Sequence, residues 1–246
     1  MKQHARWMKF LFSFVALTAL SAGLVGQPAL AHEELVLDRA PIVEGDKASL
    51  QRGARAFANY CQNCHSAQYL RYSRLTDIGL SEEEIKANLM FSSEKIGDTM
   101  TVALDKADAK AWFGNPPPDL SVEARVRGAD WLYSYLRGFY KDSSRPTGWN
   151  NTVYHNVGMP HVLYELQGVQ EMSGEEGAQS LKVVHPGKLS PAEYNQFTAD
   201  LVNYLVWMAE PAKATRIQIG VLAIFFCVVA FFVTLALKKE FWKDIH

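Results

Sequence analysis

The sequence predicts a mostly α-helical domain that is exported and then held at a membrane by one helix at its C-terminus. Three observations predict this fold class. The N-terminus is basic, then apolar, and then ends in small residues; apolar residues recur at helical spacing through the middle of the chain; and residues 217–237 contain no charged side chain. The chain of 246 residues has a net charge of −1, so it lacks the basic balance that is typical of nucleic-acid binding.

Residues 1–31 have the three parts of a secretory signal peptide. A basic start is followed by a short apolar run over residues 10–25, and Ala29 and Ala31 form an Ala-x-Ala cleavage site. A membrane helix that stays in place is the alternative, but the small residues favour cleavage after Ala31. We therefore expect an exported domain over residues 32–213.

The uncharged run of residues 217–237 predicts a membrane anchor. Its 21 residues, at about 1.5 Å each, cover the roughly 30 Å of a bilayer core. A buried core helix of this length normally has a polar face, whereas this run has only Gln218 and Thr234. Lysines follow it, which predicts an anchor over residues 214–238 and a cytoplasmic tail over residues 239–246.

Helical spacing and capping signals organise the exported domain. Apolar residues at intervals of three, four and seven predict a helix from Leu50 to Cys61. Residues that cap a helix N-terminus predict four more: Ser81 before residues 85–90, Ser121 before a short helix through Val126, Asp130 before residues 132–139, and Ser190 before residues 197–208.

The segments between these helices read as loops and one small hairpin. Three consecutive prolines, residues 116–118, predict a stiff extended loop because proline fixes φ and has no N–H to donate. Residues 141–161 are rich in Gly, Asn, Ser and Pro, which is typical of a loop. Residues 162–187 show the weak alternation of a small hairpin.

The stretch Cys61-Gln62-Asn63-Cys64-His65 carries the chemistry of the domain. Cysteines spaced i and i+3 face the same way on a helical turn, where they can form thioethers with the two vinyl groups of a haem. The histidine that follows then coordinates the iron, which is why this spacing predicts one covalently bound haem c. The third cysteine, Cys227, lies in the predicted anchor as a small apolar residue.

Two other uses of the cysteine pair fit less well. A structural zinc site needs four ligands, and no second Cys/His pair occurs at suitable spacing. A thioredoxin-like dithiol begins a helix after a strand, whereas this pair follows a helix and would leave His65 without a role.

The sixth position of a haem iron separates electron transfer from small-molecule chemistry. Of the exported methionines, Met90 and Met208 lie on apolar helix faces and are expected in the core, while Met100 and Met172 lie in polar stretches. Met159 lies in "NVGMPH", in a loop long enough to cover a haem. The residues alone favour Met159 and leave two competitors in the same loop, namely His155 and His161.

Several motifs in this order resemble the cytochrome c1 family, which is the haem subunit of the cytochrome bc1 complex (quinol–cytochrome c reductase). They are CxxCH near the start of the mature chain, "WFGNPPPDLS", "ARVRGADWLYSYLRGF", "NVGMPHVL" and a single C-terminal anchor. The resemblance covers nearly the whole mature chain. It implies a class I c-type cytochrome core with inserted loops.

The resemblance also implies a set of haem contacts. Cys61 and Cys64 attach the haem, His65 and Met159 are the axial ligands of its iron, and Arg125 pairs with a haem propionate through two hydrogen bonds. Two departures from the family pattern lie nearby. Arg127-Gly128-Ala129 stands where paired glycines are usual, and Trp131, expected as a haem neighbour, stands where tyrosine is common.

The function implied by the resemblance is electron transfer rather than catalysis by this chain alone. Electrons pass from a Rieske iron–sulfur protein to a cytochrome c, and cytochrome b completes a dimeric complex in the bacterial inner membrane. The haem domain then lies on the periplasmic side and the C-terminus in the cytoplasm. Two other functions stay open at this point: a free-standing membrane-anchored cytochrome c shuttle, and a haem enzyme or sensor with an open iron position.

Overall fold

The computed structural model describes residues 36–174 and 180–244, so the predicted signal peptide (residues 1–31) lies outside the described residues. The described helices are α1 (Lys47–Ala56), α2 (Glu82–Asn88), α3 (Lys106–Phe113), α4 (Glu123–Arg127), α5 (Ala129–Arg137), α6 (Tyr164–Gln167), α7 (Pro191–Ala209) and α8 (Lys213–Phe241). The described strands are β1 (Ala67–Arg71), β2 (Thr99–Met100), β3 (Phe139–Lys141), β4 (Trp149–Asn151), β5 (Gly168–Ser173) and β6 (Ser180–Pro186). A π-helical turn (Phe57–Cys61) continues α1, and a 3₁₀ helix (Tyr72–Ile78) follows β1.

The predicted mostly helical fold is confirmed, and its best-capped helices begin where the sequence indicates. The side chains of Ser81 and Glu84 form a capping box at the start of α2, and those of Ser190 and Glu193 form another at the start of α7. The helix predicted from Leu50 to Cys61 is α1 with its π-helical extension. The start of these helices can be predicted from local sequence, because each capping side chain accepts hydrogen bonds from backbone N–H groups of its own first turn.

Two predicted caps are wrong because tertiary contacts use the side chains differently. The Ser121 hydroxyl accepts a hydrogen bond from the Tyr69 N–H at 3.1 Å, and α4 begins after Val122. Asp130 lies inside the first turn of α5, where its carboxylate accepts from the Ala40 N–H at 2.8 Å. Helix α3 was not predicted, although the Asp105 side chain caps it by accepting from the N–H groups of Ala107 at 2.7 Å and Asp108 at 3.2 Å.

The strands form two-stranded antiparallel sheets in the described part of the chain. Strands β5 and β6 pair from Gly168 with Pro186 to Ser173 with Ser180, which confirms the predicted hairpin. Strand β4 lies in the stretch expected to be a loop, residues 141–161, and pairs with β3, whose first residue, Phe139, was expected to end a helix. Met100, predicted to lie in a polar loop, is instead in β2 and is fully buried in the core.

The packing of α1 against α7 fixes the helix that carries the cysteine pair. A Cβ on Gly53 would lie 2.5 Å from the Cβ of Tyr204 and would also overlap the Asp200 carbonyl oxygen, so only glycine allows this approach. The buried Asp200 carboxylate accepts hydrogen bonds from the Ser49 hydroxyl at 2.7 Å and the Arg52 guanidinium at 2.6 Å. These contacts hold α1, and therefore the residues after it, in one position.

Helix α8 has the length and composition of a membrane span. It contains 29 residues, and its most apolar window has a mean hydropathy of 2.9. At about 1.5 Å per residue the helix is longer than the roughly 30 Å of a hydrocarbon core. It covers the predicted anchor, residues 214–238, and extends a few residues beyond it.

Candidate functional site

A cavity of about 370 Å³ lies where the π-helical turn with the cysteine motif, the proline segment, α4, α5, α7 and the loop after β4 meet. Its volume is within the range of small-molecule and cofactor sites. Five of the six predicted site residues line it: Cys61, Cys64, His65, Trp131 and Met159. Most of the other lining side chains are apolar: Phe113, Pro116, Pro117, Pro118, Leu120, Leu132, Leu136, Val157, Val162, Leu201 and Leu205.

The π-helical turn positions the two cysteines. Phe57, at its start, is completely buried, and its ring packs against that of Tyr204 with 5.6 Å between the centroids. At its end, the Cys61 carbonyl accepts hydrogen bonds from the N–H groups of Cys64 at 3.1 Å and His65 at 2.8 Å. The motif is therefore a tight turn set by the packing of α1 and its extension against α7.

The burial of the two thiols does not favour the reactive thiolate that a redox dithiol requires. Desolvation, together with the neighbouring Cys64, raises the pKa of the Cys61 thiol to about 12, and burial also raises the pKa of Cys64. Redox-active cysteines have lowered pKa values, because the thiolate is the reactive form. Within residues 36–174 and 180–244 no group of three or more His, Cys, Asp or Glu side chains could hold a metal ion.

His65 is oriented by the proline segment. Its Nδ1 lies 2.7 Å from the Pro118 carbonyl oxygen, and a carbonyl only accepts, so Nδ1 carries the hydrogen and Nε2 keeps its lone pair. Burial lowers the pKa of His65, which favours the neutral ring that coordinates metals. The segment is tied to the residues after the motif by hydrogen bonds from the Leu120 N–H to the Ser66 carbonyl and from the Gln68 N–H to the Asp119 carboxylate.

Met159 is half-buried at the cavity, and its sulfur has a partner. The Tyr135 hydroxyl donates a hydrogen bond to the Met159 Sδ over 3.3 Å. The Tyr135 ring is stacked on Trp131 with 4.9 Å between centroids and meets Phe139 edge-on at 5.1 Å. Burial raises the pKa of Tyr135, so the phenol keeps the proton that it donates.

Asparagines clamp the loop that carries Met159. The Asn151 amide donates to the Tyr135 carbonyl at 2.8 Å, and its oxygen accepts from the N–H groups of Val153 at 2.8 Å and Tyr154 at 3.2 Å. Asn150 accepts from the Asn156 N–H at 2.9 Å. Asn156 has a φ of 61°, a left-handed conformation that asparagine tolerates.

Of the two arginines on α4, only Arg127 lines the cavity. Arg125 is exposed and is not among the residues that line the cavity, so its predicted contact with a propionate stays a prediction. Arg127 lines the cavity, and its guanidinium lies over the Trp131 ring at 4.8 Å from the centroid. Sequence reasoning had marked Arg127 only as a departure from the family pattern.

The competing histidines lie outside the cavity lining. His155 is exposed, whereas His161 is only 2% exposed and stacks on Phe139 with 4.9 Å between centroids. Burial lowers the pKa of His161 to about 4. Met159 is the one methionine among the described residues that line the cavity.

These residues fit a covalently attached haem. Two adjacent thiols, an imidazole with a free Nε2 and a thioether are the donors of a c-type site, and the apolar lining suits a flat macrocycle. A mostly helical domain with this site, joined to an apolar C-terminal helix, defines a membrane-anchored c-type cytochrome.

Comparison with known proteins gives the family. Residues 39–245 match the Cytochrome C1 family. The chain is 47% identical, over 98% of its length and 100% of the relative, to the "Ammonia monooxygenase gamma subunit" of Nitrosomonas europaea. It is 45% identical to the cytochrome c1 of Allochromatium vinosum, over 85% of this chain and 90% of that protein. It is 30% identical to the cytochrome c1 of Rhodospirillum rubrum, over 81% of this chain and 83% of that protein.

The chain belongs to the cytochrome c1 family. It is accordingly the haem c subunit of a bc1 complex, carries one covalently bound haem c and is anchored to a membrane. Membership implies cytochrome b and a Rieske iron–sulfur protein as partner subunits, and the chain transfers electrons without being an enzyme by itself. The predictions of fold class, cofactor and general function are confirmed.

Proposed function

We propose that His65 and Met159 are the two axial ligands of the haem iron and that Cys61 and Cys64 form its thioethers. The observation that carries this proposal is that all four line one apolar cavity, with the Nε2 of His65 left free by the bond from Nδ1 to Pro118. Haem c supplies reversible one-electron chemistry at its iron. The surrounding residues orient the imidazole, hold the thioether and exclude water.

A coordination sphere closed on both sides favours electron transfer over catalysis. A thioether ligand and an apolar surrounding both favour the reduced iron, which raises the reduction potential. A haem enzyme or sensor needs an open position instead. Carbon monoxide distinguishes the two: the reduced protein is expected to bind it slowly and weakly, and rapid stoichiometric binding would contradict the closed site.

We further propose that the electron acceptor is a cytochrome c and that the complex is dimeric. The family resemblance supports both assignments, and the exposed ring of Tyr154 at the cavity offers a contact for a partner. Reduction of a soluble cytochrome c by the purified complex tests the acceptor. The proposal predicts that loss of the haem from this subunit stops that reduction while quinol still reduces cytochrome b.

The proposed membrane orientation places the domain over residues 32–213 on the periplasmic side and residues 239–246 in the cytoplasm. The lysines after the apolar run support it, because basic residues are retained on the cytoplasmic side. Protease added to spheroplasts is expected to digest the haem domain and leave an epitope on the tail intact. Digestion of the tail before the domain contradicts this orientation.

Co-purification distinguishes a subunit of a bc1 complex from a free-standing cytochrome c shuttle. Mild-detergent extraction is expected to yield the chain together with cytochrome b and a Rieske protein. A lone haem protein would instead indicate a free-standing shuttle. The name of the Nitrosomonas europaea relative describes a monooxygenase subunit, and recovery with such an enzyme would point to that assembly.

A further inference from the structure

The turn between β3 and β4 holds the backbone of Arg145 in place. The Arg145 N–H donates to the Asp142 carbonyl at 3.2 Å, and the Arg145 carbonyl accepts from the Gly148 N–H at 2.9 Å. The Asp142 carboxylate accepts from the Ser144 N–H at 3.0 Å, the Ser144 hydroxyl at 2.6 Å and the Asn150 amide at 2.9 Å. None of these bonds uses the Arg145 side chain, so the guanidinium extends from a turn that is already fixed.

The Arg145 side chain contacts Asn156, three positions before Met159. Its Nη1 donates to the Asn156 Oδ1 at 3.0 Å, and its Nη2 donates to the Asn156 backbone carbonyl at 3.2 Å. Its Nε is shielded from solvent and has no hydrogen-bond partner among the described residues. Hydrogen bonds from a charged donor are stronger than neutral ones, and two of them here converge on a single residue.

Asn156 is held in a backbone conformation that costs free energy. Its φ of 61° makes it the only non-glycine residue with a positive φ within residues 36–174 and 180–244. L-residues disfavour this left-handed region, although asparagine tolerates it better than most. The Asn156 N–H is bonded to the Asn150 Oδ1 at 2.9 Å, and Arg145 takes both of its oxygens. These contacts offset the backbone strain.

The direction of the chain at Asn156 determines where the Met159 sulfur lies. Residues 156–159 all line the cavity. Val157 is only 4% exposed, and a Cβ on Gly158 would lie 3.3 Å from the Phe113 carbonyl oxygen. The three residues that lead from Asn156 to the sulfur therefore have little room for another path.

The two sides of Met159 are held by different kinds of contact. His161, on the C-terminal side, is buried and stacked on Phe139, so moving it would open the protein interior. The bonds from Arg145 to Asn156, on the N-terminal side, lie at the exposed surface. Surface hydrogen bonds with few buried apolar contacts open at a lower free energy than packed interiors. Local opening of this loop is therefore expected to begin where Arg145 holds Asn156.

We propose that Arg145 is a positioning residue for Met159: by holding Asn156 in its left-handed conformation, it keeps the Met159 sulfur at the cavity and limits its displacement by external ligands. The inference rests on the proposed ligation of the haem iron by Met159. Displacement exchanges one neutral donor for another, so it requires no oxidant or reductant. Its rate is set by how often the loop opens, which the two hydrogen bonds from Arg145 oppose.

The test measures how fast imidazole displaces the sulfur in the purified ferric complex. Thioether sulfur bound to ferric iron gives a far-red absorption band, and the decay of this band reports displacement. Imidazole is used largely neutral, at pH 8, so that the loss of a positive charge from the protein does not alter its attraction to the site. Arg145→Gln is expected to keep the band without imidazole and to speed its decay about five- to thirtyfold, as fits the loss of charge-assisted hydrogen bonds at an exposed site.

Two control variants distinguish this contact from a general effect of charge or stability. Arg55→Gln removes an exposed arginine of α1 and is expected to leave the decay rate unchanged. Ile85→Val removes a methyl group from a fully buried side chain of α2 that does not line the cavity. It is expected to lower the midpoint of thermal unfolding and to leave the decay rate unchanged. An unchanged rate in Arg145→Gln, or an equal increase in either control, overturns the inference.

A double-mutant cycle tests whether Arg145 acts through Asn156. Asn156→Gly allows the left-handed backbone and removes the Oδ1 acceptor, so it is expected to speed the decay by itself. The double variant Arg145→Gln/Asn156→Gly is expected to fall short of the product of the two single increases, because both changes remove the same hydrogen bond. Increases that multiply would overturn the inference. Absence of the far-red band from the unaltered protein would instead overturn the proposed Met159 ligand.

Discussion

The hydroxyl of Tyr135 donates a hydrogen bond to the sulfur of Met159 over 3.3 Å, and the Tyr135 ring is held between Trp131 and Phe139. The tyrosine therefore fixes the direction of a sulfur lone pair at the cavity. A donor on a thioether withdraws electron density from it, and a sulfur that donates less stabilises ferric iron less. With Met159 as the proposed iron ligand, this contact would link the packing of α5 to the redox balance of the bound haem.

Replacement of Tyr135 by phenylalanine keeps the stacked ring and removes only the donor. We expect the ferric-to-ferrous ratio at fixed potential to rise about two- to fivefold, as fits a hydrogen bond of roughly 0.5–1 kcal/mol. A redox titration followed by absorbance measures it. Tyr133→Phe is the matched control, because Tyr133 is a buried tyrosine of the same helix that does not line the cavity. Equal shifts in the two variants would contradict the role of the sulfur contact.

Replacement of Asn151 by alanine removes the clamp on the Met159 loop. Asn151 is fully buried and makes three long-range or loop hydrogen bonds, so its loss is expected to destabilise the protein by about 2–3 kcal/mol. The loosened loop is expected to let carbon monoxide reach the reduced iron faster. Asn88→Ala, which removes an exposed asparagine with one local bond, provides the comparison. Identical rates of carbon monoxide binding in both variants would contradict the role of Asn151 in holding the Met159 loop.

Replacement of Gly53 by alanine tests the approach of α1 to α7. The new Cβ would overlap the backbone of Asp200 and the Cβ of Tyr204, so the helices must separate. We expect a loss of at least about 2 kcal/mol, seen as a clear fall in the midpoint of thermal unfolding. Gly97→Ala places a Cβ in open space and should leave the midpoint nearly unchanged. A Gly53→Ala variant as stable as Gly97→Ala would contradict this packing.

Alanine at both Cys61 and Cys64 is expected to abolish covalent haem. Haem staining after denaturing electrophoresis checks this, because only thioether-linked haem survives denaturation. Cys227→Ala removes the remaining cysteine, which lies on α8, and is expected to keep full staining. Loss of stain in Cys227→Ala, or its persistence in the double variant, would place the attachment elsewhere.

The elements that the sequence predicts well are those fixed by neighbours along the chain. The capping boxes at Ser81 and Ser190 and the cysteine motif each depend on residues a few positions apart. By the same local rules Ser121 and Asp130 are expected to cap helices. In the structure their side chains instead accept hydrogen bonds from the backbone N–H groups of Tyr69 and Ala40. Partners so far apart in sequence leave no local signal.

In the site, too, some residues can be predicted from local sequence and others cannot. Its donors are readable from CxxCH, and the family resemblance adds Met159. The groups that orient these donors come from distant segments: the Pro118 carbonyl for His65 and the Tyr135 hydroxyl for Met159. The proline run predicted a stiff loop, but not that its last carbonyl would accept a hydrogen bond from an imidazole 53 positions earlier.

The most direct test of a haem iron closed by His65 and Met159 is the far-red absorption of the ferric protein. A charge-transfer band there arises from thioether sulfur bound to ferric iron. The unaltered protein is expected to show this band, and Met159→Leu is expected to lose it while keeping covalent haem. Persistence of the band in Met159→Leu would contradict the assignment and require another sulfur ligand.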